Sequence, residues 1–412
     1  MYKRIGRQSI RVVVLLLMLN LLAACGKKEA APPKEVAAEK IATITETPTP
    51  TVTPGIYPSE FKFDSEKYND RYYFQQLSKE EQEMYAYLYE KIDAFSEDIL
   101  FLEQVDSVLF HKSYYALLQD CPEFFWLNSD LRITTVESTG DVSRVSILYE
   151  ETTVEETRQQ RAAIEEVAKH WLEQVEPELS TYEKAKRVFE MIIDQTDYVE
   201  GSVYNQDIRS VFLNHQSVCT GYARAMEYLL KELEIPCTLA SGKMLDGVPH
   251  CWNQVCIDGT YCWVDVTQGD AAGEEGVIYY GYLCFDDAVL NRNYVIEKNI
   301  ELSTMPDQET EFFQYPACDS QEYNFFRLQG RQYDVYDPET LKNYILQGID
   351  EGRSIFAFQF TSETAFQEAV SALDNEEMLT DVLQELISRQ GTGYWNYSYG
   401  NDPHIYTIYI SL

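Results

Sequence analysis

Apolar residues recur at helical spacing in several parts of the chain, and three of these parts begin with a capping box. Ser78, Thr153 and Ser180 are each followed three residues later by a glutamate and then by periodic apolar positions. In a capping box the first side chain and the glutamate satisfy backbone N–H groups that have no partner inside the helix. Helices are therefore predicted from these three positions.

Between the first two helices the periodicity changes to two residues. Residues 131–136 and 142–149 alternate apolar and polar positions, which is typical of two half-buried strands joined as a hairpin. Residues 59–179 are therefore predicted to form a mixed α+β unit, and we expect their aromatic side chains to belong to its core.

The last part of the chain also mixes the two periodicities. Strand-like runs at 354–360, 394–399 and 404–412 accompany helical runs at 362–373 and 378–387, with a Gly-Asn-Asp-Pro turn between the last two strands. Residues 320–412 are predicted to form a second α+β unit. Neither flanking unit contains a cluster of residues typical of a catalytic site.

The segment Gln-Ser-Val-Cys-Thr-Gly-Tyr-Ala at residues 216–223 leads into apolar residues at helical spacing that end before Pro236. This pattern puts Cys219 at the start of a helix. There the partial positive charge of the helix and its unpaired N–H groups favour thiolate over thiol and can hold an oxyanion. A nucleophilic cysteine needs both properties.

A strand is predicted over 237–241, followed by a hairpin in which residues 250–256 and 261–267 flank an Asp-Gly turn at 258–259. With a two-residue turn, Trp252 is opposite Asp265 and His250 is opposite Thr267. His250 and Asp265 are then diagonal neighbours on one face of the sheet, where their side chains can reach each other.

The same register limits what the cysteines can do. It puts Cys256 opposite Tyr261 and Cys262 on the other face, so a disulfide between these two cysteines is disfavoured. Cys251 points away from His250, so a metal site of His250 with neighbouring thiols would need a different register. The nine cysteines form no C-x-x-C pair, and we expect most to be small buried residues.

Three segments together resemble the motifs of the transglutaminase-like superfamily, in that family's order: Cys-Thr-Gly-Tyr-Ala from Cys219, His-x-Trp-Asn-x-Val from His250, and Trp-Val-Asp-x-Thr ending at Thr267. The resemblance covers roughly residues 181–290 and implies a papain-like fold. The expected fold class is α+β, with a central papain-like transglutaminase core at 180–305 flanked by two smaller α+β units.

By this resemblance Cys219 is the nucleophile, His250 the general base and acid, and Asp265 the residue that orients the imidazole, with Trp252 and Trp263 packed around them. The chain departs from the family at Cys251, where a small residue is frequent, and at Gln268, where an aromatic residue is common. Each triad residue alone has an ordinary structural interpretation, as a buried cysteine, a core histidine or a turn carboxylate. Their joint order and register favour a site.

The donor that would complete an oxyanion hole stays open. The family supplies it from upstream of the cysteine, and the candidates are Gln206, Asn214 and Gln216. Each is more readily a turn or cap residue than a catalytic donor, and His215 beside them is more readily exposed or structural than a second base. None of the four belongs to the predicted catalytic set.

Three functions are compatible with such a site. A Cys219 thioester can pass its acyl group to an amine and cross-link surface proteins or cell-wall peptides, or it can pass the group to water in a peptidase or amidase reaction. The third is a catalytically inactive scaffold that binds a peptide or polysaccharide. No nucleotide loop, dinucleotide fingerprint or EF-hand pattern occurs, so we expect no cofactor and no bound metal.

The N-terminus predicts export and lipid attachment. Basic residues precede an apolar run at 12–22, and the segment Leu-Ala-Ala-Cys-Gly ending at Gly26 resembles the lipobox of bacterial lipoproteins. This predicts a signal peptide over 1–24, a lipid such as palmitate on Cys25, and an extracytoplasmic protein anchored to the bacterial membrane. Residues 25–58, rich in Pro and Thr, are the expected tether.

The charge of the chain restricts its partners. A formal net charge of −35 argues against nucleic acid and against direct docking on anionic lipid. We therefore expect contact with the membrane only through the lipid on Cys25, and a surface protein or cell-wall peptide as the substrate.

Overall fold

A computed structural model describes residues 55–127, 132–136, 140–147, 153–270, 277–297, 313–375, 377–390 and 397–412. The predicted signal peptide, Cys25 and the tether up to residue 54 lie outside the described residues. Within the described ranges, no helix is long and apolar enough to cross a membrane.

All three predicted capping boxes form, at Ser78, Thr153 and Ser180, with both reciprocal hydrogen bonds present in each. The helices that follow bury most of their apolar residues and leave their charged residues partly or fully exposed. The N-terminal elements are α1 (Lys79–Asp93), β1 (Asp98–Val105), α2 (Ser107–Asp120), β2 (Arg132–Thr135), β3 (Val142–Ser146) and α3 (Val154–Leu172).

The predicted N-terminal hairpin is confirmed, because β2 and β3 pair antiparallel with Ile133 opposite Val145. The ends of the predicted strands at residue 131 and at 148–149 lie outside the described residues. The sheet has a third strand that the pattern did not predict, since β1 pairs with β3 to give the order β1-β3-β2. Helix α2 was also not predicted.

The central elements surround a single helix that packs on an antiparallel sheet. The residues of this helix that face the sheet and the neighbouring helices, including Met226, Leu229 and Leu230, are fully buried. The elements are α4 (Thr181–Gln195), β4 (Asp197–Tyr198), α5 (Ile208–Phe212), β5 (Gln216–Ser217), α6 (Cys219–Glu232), β6 (Cys237–Met244), β7 (Pro249–Ile257), β8 (Thr260–Val264), α7 (Val266–Gly269), α8 (Asp287–Asn293) and β9 (Tyr294–Ile296).

The central sheet has the strand order β8-β7-β6-β9. The amide of Asn253 on β7 donates to the Ala223 backbone oxygen on α6 at 2.9 Å, so the helix is held to the sheet by a buried polar contact as well as by apolar packing. This contact sets how the first turn of α6 lies against β7, which carries His250.

The predicted hairpin register is confirmed over the paired residues. Cys256 is opposite Tyr261, Val255 is opposite Cys262, and the turn residues Asp258 and Gly259 both have positive φ. One detail was wrong: β8 ends at Val264 and the chain turns into the short helix α7, so the predicted pair between His250 and Thr267 does not form. Asp265 instead becomes the N-cap of α7.

The buried core continues from the N-terminal elements into the central ones. One cluster of buried residues extends from Tyr68 to Phe313, and the Tyr73 hydroxyl donates to the Leu239 backbone oxygen on β6 at 2.6 Å. The predicted limit of the N-terminal unit, at residue 179, falls between α3 and α4, and buried apolar residues lie on both sides of it.

The C-terminal elements form a second sheet, of order β10-β11-β13-β12, covered by helices. The predicted strand near 354–360 and both predicted helices are confirmed, but the turn was misplaced because β12 continues through Gly400 and Asn401 to Asp402. Residues 394–396 lie outside the described residues. The elements are α9 (Phe325–Leu328), β10 (Gln332–Tyr333), α10 (Pro338–Asp350), β11 (Ile355–Phe360), α11 (Glu363–Asp374), α12 (Glu377–Gln390), β12 (Ser398–Asp402) and β13 (Thr407–Ser411).

Gly242 on β6 has no room for a side chain. A methyl group there would lie 2.2 Å from the Val295 backbone oxygen on β9 and 2.9 Å from the Trp252 ring. Because a backbone atom cannot rotate away, we expect Gly242→Ala to force β9 off β6 and to lower the free energy of unfolding by about 1–3 kcal/mol. Urea denaturation followed by circular dichroism measures this change.

Gly400→Ala is the matched control, because Gly400 also lies in a strand and has nothing within 4 Å of the added methyl group. We expect an unchanged or slightly higher denaturation midpoint for it. Equal midpoints for the two variants would contradict the close approach of β9 to β6.

Candidate active site

Cys219 is the first residue of α6, as the sequence predicted. The preceding residue, Val218, supplies no side-chain cap, so the positive end of the helix acts on the thiol without a competing side-chain acceptor. The sulfur also accepts a hydrogen bond from the backbone N–H of Cys251 on β7. The thiol is half-buried.

His250 and Asp265 lie together on the neighbouring strands, as the hairpin register predicted. The distance from His250 Nε2 to Asp265 Oδ2 is 2.7 Å, and both side chains are buried, with Asp265 fully so. Since Nε2 is bound to the carboxylate, the other ring nitrogen, Nδ1, is left for the side-chain hydrogen bond between His250 and Cys219.

The electrostatics around Cys219 and His250 favour an ionised Cys219 thiol. Burial raises the pKa of Cys219, but the hydrogen bond and positive charge of His250 and the N–H of Cys251 outweigh it and bring that pKa below its ordinary value. Burial likewise lowers the pKa of His250, but the Asp265 carboxylate and the thiolate hold it well above its ordinary value. The arrangement therefore favours a thiolate beside an imidazolium.

Asp265 is held by three donors. Oδ1 accepts the backbone N–H of Gln268 at 3.0 Å, while Oδ2 accepts both His250 Nε2 and, at 2.8 Å, the hydroxyl of Tyr294 on β9. The sequence patterns did not point to Tyr294, which lies in none of the three motifs. No local signal could have found it, because the contact joins residues 29 positions apart.

Trp252 and Trp263 are buried near His250 and Asp265. The Trp252 ring lies 6.0 Å from the His250 ring and nearly parallel to it, and the two indoles meet edge to face at 6.4 Å. Trp263 is fixed by a 2.7 Å hydrogen bond from its Nε1 to Asp287 Oδ1. The two rings exclude water from one side of the imidazole.

Cys251 lies on the opposite face of β7 from His250 and is directed toward α6. Its sulfur accepts a hydrogen bond from the Thr220 hydroxyl at 3.7 Å and lies 3.8 Å from the Ser241 hydroxyl. Burial and the Cys219 thiolate raise the pKa of Cys251, so this second thiol stays protonated where Cys219 ionises. Gln268, the other departure from the family pattern, contributes its backbone N–H to Asp265.

The upstream residues considered as oxyanion donors are exposed. Gln206 donates to Asn205 at 3.3 Å, Asn214 donates to the Val203 backbone oxygen at 3.1 Å, and Gln216 lies in β5. His215 contacts the Gln195 backbone oxygen at 3.0 Å. Asn214, His215 and Gln216 lie between α5 and α6, whereas Gln206 lies in the loop before α5.

The described cysteines carry no disulfide. In the ranges that the structure describes, no group of three or more His, Cys, Asp or Glu side chains is placed to hold a metal ion.

A helix that begins at a cysteine and packs on an antiparallel sheet carrying a paired histidine and aspartate is the arrangement of a papain-like thiol domain. The sequence model of the transglutaminase-like superfamily matches residues 169–267, which include all three of these residues. The chain therefore contains a transglutaminase-like domain, and its mixed α and β architecture agrees with the expected fold class.

Solved structures with low overall similarity include a TGase, 15% identical with a TM-score of 0.25, which aligns over 44% of this chain and 53% of its own. The periplasmic domain of TgpA from Pseudomonas aeruginosa is 16% identical with a TM-score of 0.20, over 34% of this chain and 63% of its own. A third structure is that of menin, which reveals its binding site for the Mixed Lineage Leukemia protein. Menin is 16% identical with a TM-score of 0.23, and the alignment covers 37% of this chain and 34% of menin.

This chain thus spans less than two thirds of the length of each of these structures. Among curated proteins, none matches it. The family match to residues 169–267, rather than these alignments, identifies the domain.

Proposed function

We propose that this protein forms a thioester at Cys219 and transfers the acyl group of an amide substrate to an amine or to water. One observation carries the proposal: Cys219 at the start of α6 is hydrogen-bonded to His250, whose Nε2 is bound to the buried Asp265 at 2.7 Å. These contacts lower the pKa of the Cys219 thiol, whereas burial and the neighbouring thiolate raise the pKa of Cys251.

In the first half-reaction the Cys219 thiolate attacks the carbonyl carbon of the amide, and the carbonyl oxygen becomes an oxyanion. Protonated His250 then gives its proton to the leaving nitrogen, the C–N bond breaks, and an amine departs from the thioester. The backbone N–H groups of the first turn of α6 are suited to hold the oxyanion.

In the second half-reaction an amine or a water molecule attacks the thioester. His250 removes a proton from it, the C–S bond breaks, and Cys219 leaves as a thiolate that pairs again with the imidazolium. Asp265 accepts the hydrogen bond from Nε2 throughout and so holds the ring with Nδ1 facing sulfur.

The proposed location comes from the sequence. The predicted signal peptide and the lipid site at Cys25 support an extracytoplasmic protein anchored to the bacterial membrane. An extended tether of about 30 residues at roughly 3 Å each would hold the domain several tens of Å above the bilayer. Surface proteins and cell-wall peptides are within reach there, and we propose them as the substrate class.

The test is labelling of the folded protein, residues 26–412, with iodoacetamide across pH, with mass spectrometry to locate the label. We expect wild-type Cys219 to react well below the ordinary thiol pKa of about 8.5, and His250→Ala to slow it roughly tenfold or more at pH 6. Cys251 in the same molecule is the internal control and should stay unlabelled at that pH, because its pKa is raised.

Two substrate assays then separate the reactions. Incorporation of a fluorescent amine into a glutamine peptide would indicate transfer, and cleavage of peptide amides would indicate hydrolysis. If Cys219 is inert at every pH in the folded protein, the thioester proposal is wrong. Wall binding that Cys219→Ala leaves unchanged would then favour the alternative of a peptide- or polysaccharide-binding scaffold.

A further inference from the structure

Tyr294 is the first residue of β9 and lies outside every sequence motif of the site. Its ring is buried and contacts Trp252 at 4.8 Å between ring centres, Phe285 at 5.7 Å and His250 at 6.0 Å. Its hydroxyl donates to Asp265 Oδ2 at 2.8 Å. The ring is thus packed between aromatic neighbours, and its hydroxyl is fixed on the carboxylate.

The carboxylate of Asp265 depends on its donors because no part of the residue reaches solvent. A buried charge is strongly unfavourable unless hydrogen bonds replace the water it has lost. The backbone N–H of Gln268 serves one oxygen, and His250 and Tyr294 share the other. Of these two side chains, only Tyr294 stays neutral throughout the proposed reaction, because the His250 ring loses and gains a proton at Nδ1.

We propose that Tyr294 is a positioning residue of this site. Its hydroxyl holds the Asp265 carboxylate in place and turned toward His250, and it acts on Cys219 only through these two residues. The inference rests on the proposed function, because it assigns Tyr294 a part in the same Cys219 and His250 pair.

Burial and the nearby Asp265 carboxylate both raise the pKa of Tyr294 well above its ordinary value. The hydroxyl therefore remains a donor throughout the working pH range. Without it, Asp265 Oδ2 keeps only the His250 donor, and the buried carboxylate is held less firmly against the imidazole. A carboxylate that is held less firmly stabilises the imidazolium less, and the Cys219 thiolate in turn loses part of the stabilisation by its counter-ion.

Tyr294→Phe removes the hydroxyl and keeps the ring. We expect the pH midpoint of iodoacetamide labelling at Cys219 to rise by about one unit, so that labelling at pH 6 becomes roughly five- to tenfold slower. An unchanged midpoint in a folded variant would overturn the proposal.

Tyr85→Phe is the matched control. Tyr85 is also a fully buried tyrosine, but its hydroxyl lies beside Cys121 in the N-terminal part of the chain, at 3.5 Å from the sulfur. Loss of a buried hydroxyl in general would lower the stability of both variants, whereas the labelling midpoint should move only for Tyr294→Phe.

Whether Tyr294 acts on Cys219 through Asp265 is tested by making Tyr294→Phe in an Asp265→Asn background. If Tyr294 acts through the carboxylate, Tyr294→Phe adds no further shift there. A full additional shift would mean that Tyr294 acts on His250 or Cys219 by another path, and the proposal would be wrong.

A variant that preserves the shape covers the case in which Tyr294→Phe does not fold. Incorporation of 3-fluorotyrosine at position 294 makes the phenol a stronger donor in the same place. The labelling midpoint should then move down, opposite to the shift for phenylalanine. A purely structural tyrosine predicts no such change of sign.

The His250 pKa, read by NMR of the ring nitrogens in a Cys219→Ala background, separates this proposal from the proposed function. We expect Tyr294→Phe to lower that pKa even when no thiol is present. An inert wild-type Cys219 together with a lowered His250 pKa would reject the thioester function and keep the positioning role. An unchanged His250 pKa would reject the role of Tyr294 alone.

Discussion

Cys219→Ser is expected to lower the rate of amine incorporation or amide cleavage by about four orders of magnitude or more. A serine hydroxyl has nearly the same shape, but its pKa is far too high for His250 to hold it as an anion at neutral pH. The electrostatics that favour a thiolate at the start of α6 therefore leave a neutral and weak nucleophile. Steady-state rates with saturating substrate measure the loss.

Cys256→Ser is the matched control for this substitution. Cys256 is half-buried and lies on β7, the strand that carries His250, but it is opposite Tyr261 near the turn. We expect near wild-type rates for it. Substantial activity in Cys219→Ser would show that the reaction does not pass through a thioester at this residue.

Arg71→Met is expected to cost about 3–5 kcal/mol of the free energy of unfolding, because it breaks a buried ion pair and leaves one partner behind. Arg71 donates to Glu123 Oε1 at 2.7 Å and to the Asp120 backbone oxygen, and Lys231 of α6 reaches the same Glu123 oxygen at 2.9 Å. The contact therefore joins the N-terminal elements to the helix that begins at Cys219. Urea denaturation at neutral pH measures the loss.

The pH dependence has a definite sign. Burial opposes the charge of Glu123, but Arg71 and Lys231 outweigh it and hold the pKa of this carboxyl at about 2, below its ordinary value. A lowered carboxyl pKa contributes stability above the ordinary value, and this contribution is lost as the pH falls towards about 2. The difference between wild type and Arg71→Met should therefore narrow on acidification.

Two further variants test whether the loss of stability comes from the buried ion pair between Arg71 and Glu123. Arg144 also pairs with an aspartate, Asp98, but both side chains are exposed, so Arg144→Met should leave the denaturation midpoint nearly unchanged. Adding Glu123→Leu to Arg71→Met should recover part of the stability, because it removes a buried carboxylate that would keep only Lys231 as a charged partner. A double variant less stable than Arg71→Met would contradict the ion-pair explanation.

The predictions that the structure confirms concern features encoded within a few residues of each other. The capping boxes at Ser78, Thr153 and Ser180 need only a side chain and a glutamate three positions later. The turn at Asp258 and Gly259 sets the register of β7 and β8, and that register brought His250 near Asp265. The spacing of apolar residues after Cys219 was sufficient to place it at a helix start.

The errors and omissions have a common cause. The pattern extended the second strand through Thr267, although the chain turns at Asp265, because the short helix α7 is capped by Asp265 itself. Helix α10 was missed although Asp337 and Pro338 provide a cap and an N1 proline. In both places the sequence contains a local start signal of a helix that the prediction did not use.

Many of the local elements, the hairpin register and the three residues that resemble a thiol site were therefore readable from the amino-acid sequence alone. The tertiary structure decided which distant residues support them: Tyr294 on Asp265, and Arg71 and Lys231 on Glu123. The physical reason is that a cap, a turn or a period depends on neighbours in the chain, whereas a buried tyrosine or arginine has many possible acceptors along the sequence. Only the packing of the whole core selects one of them.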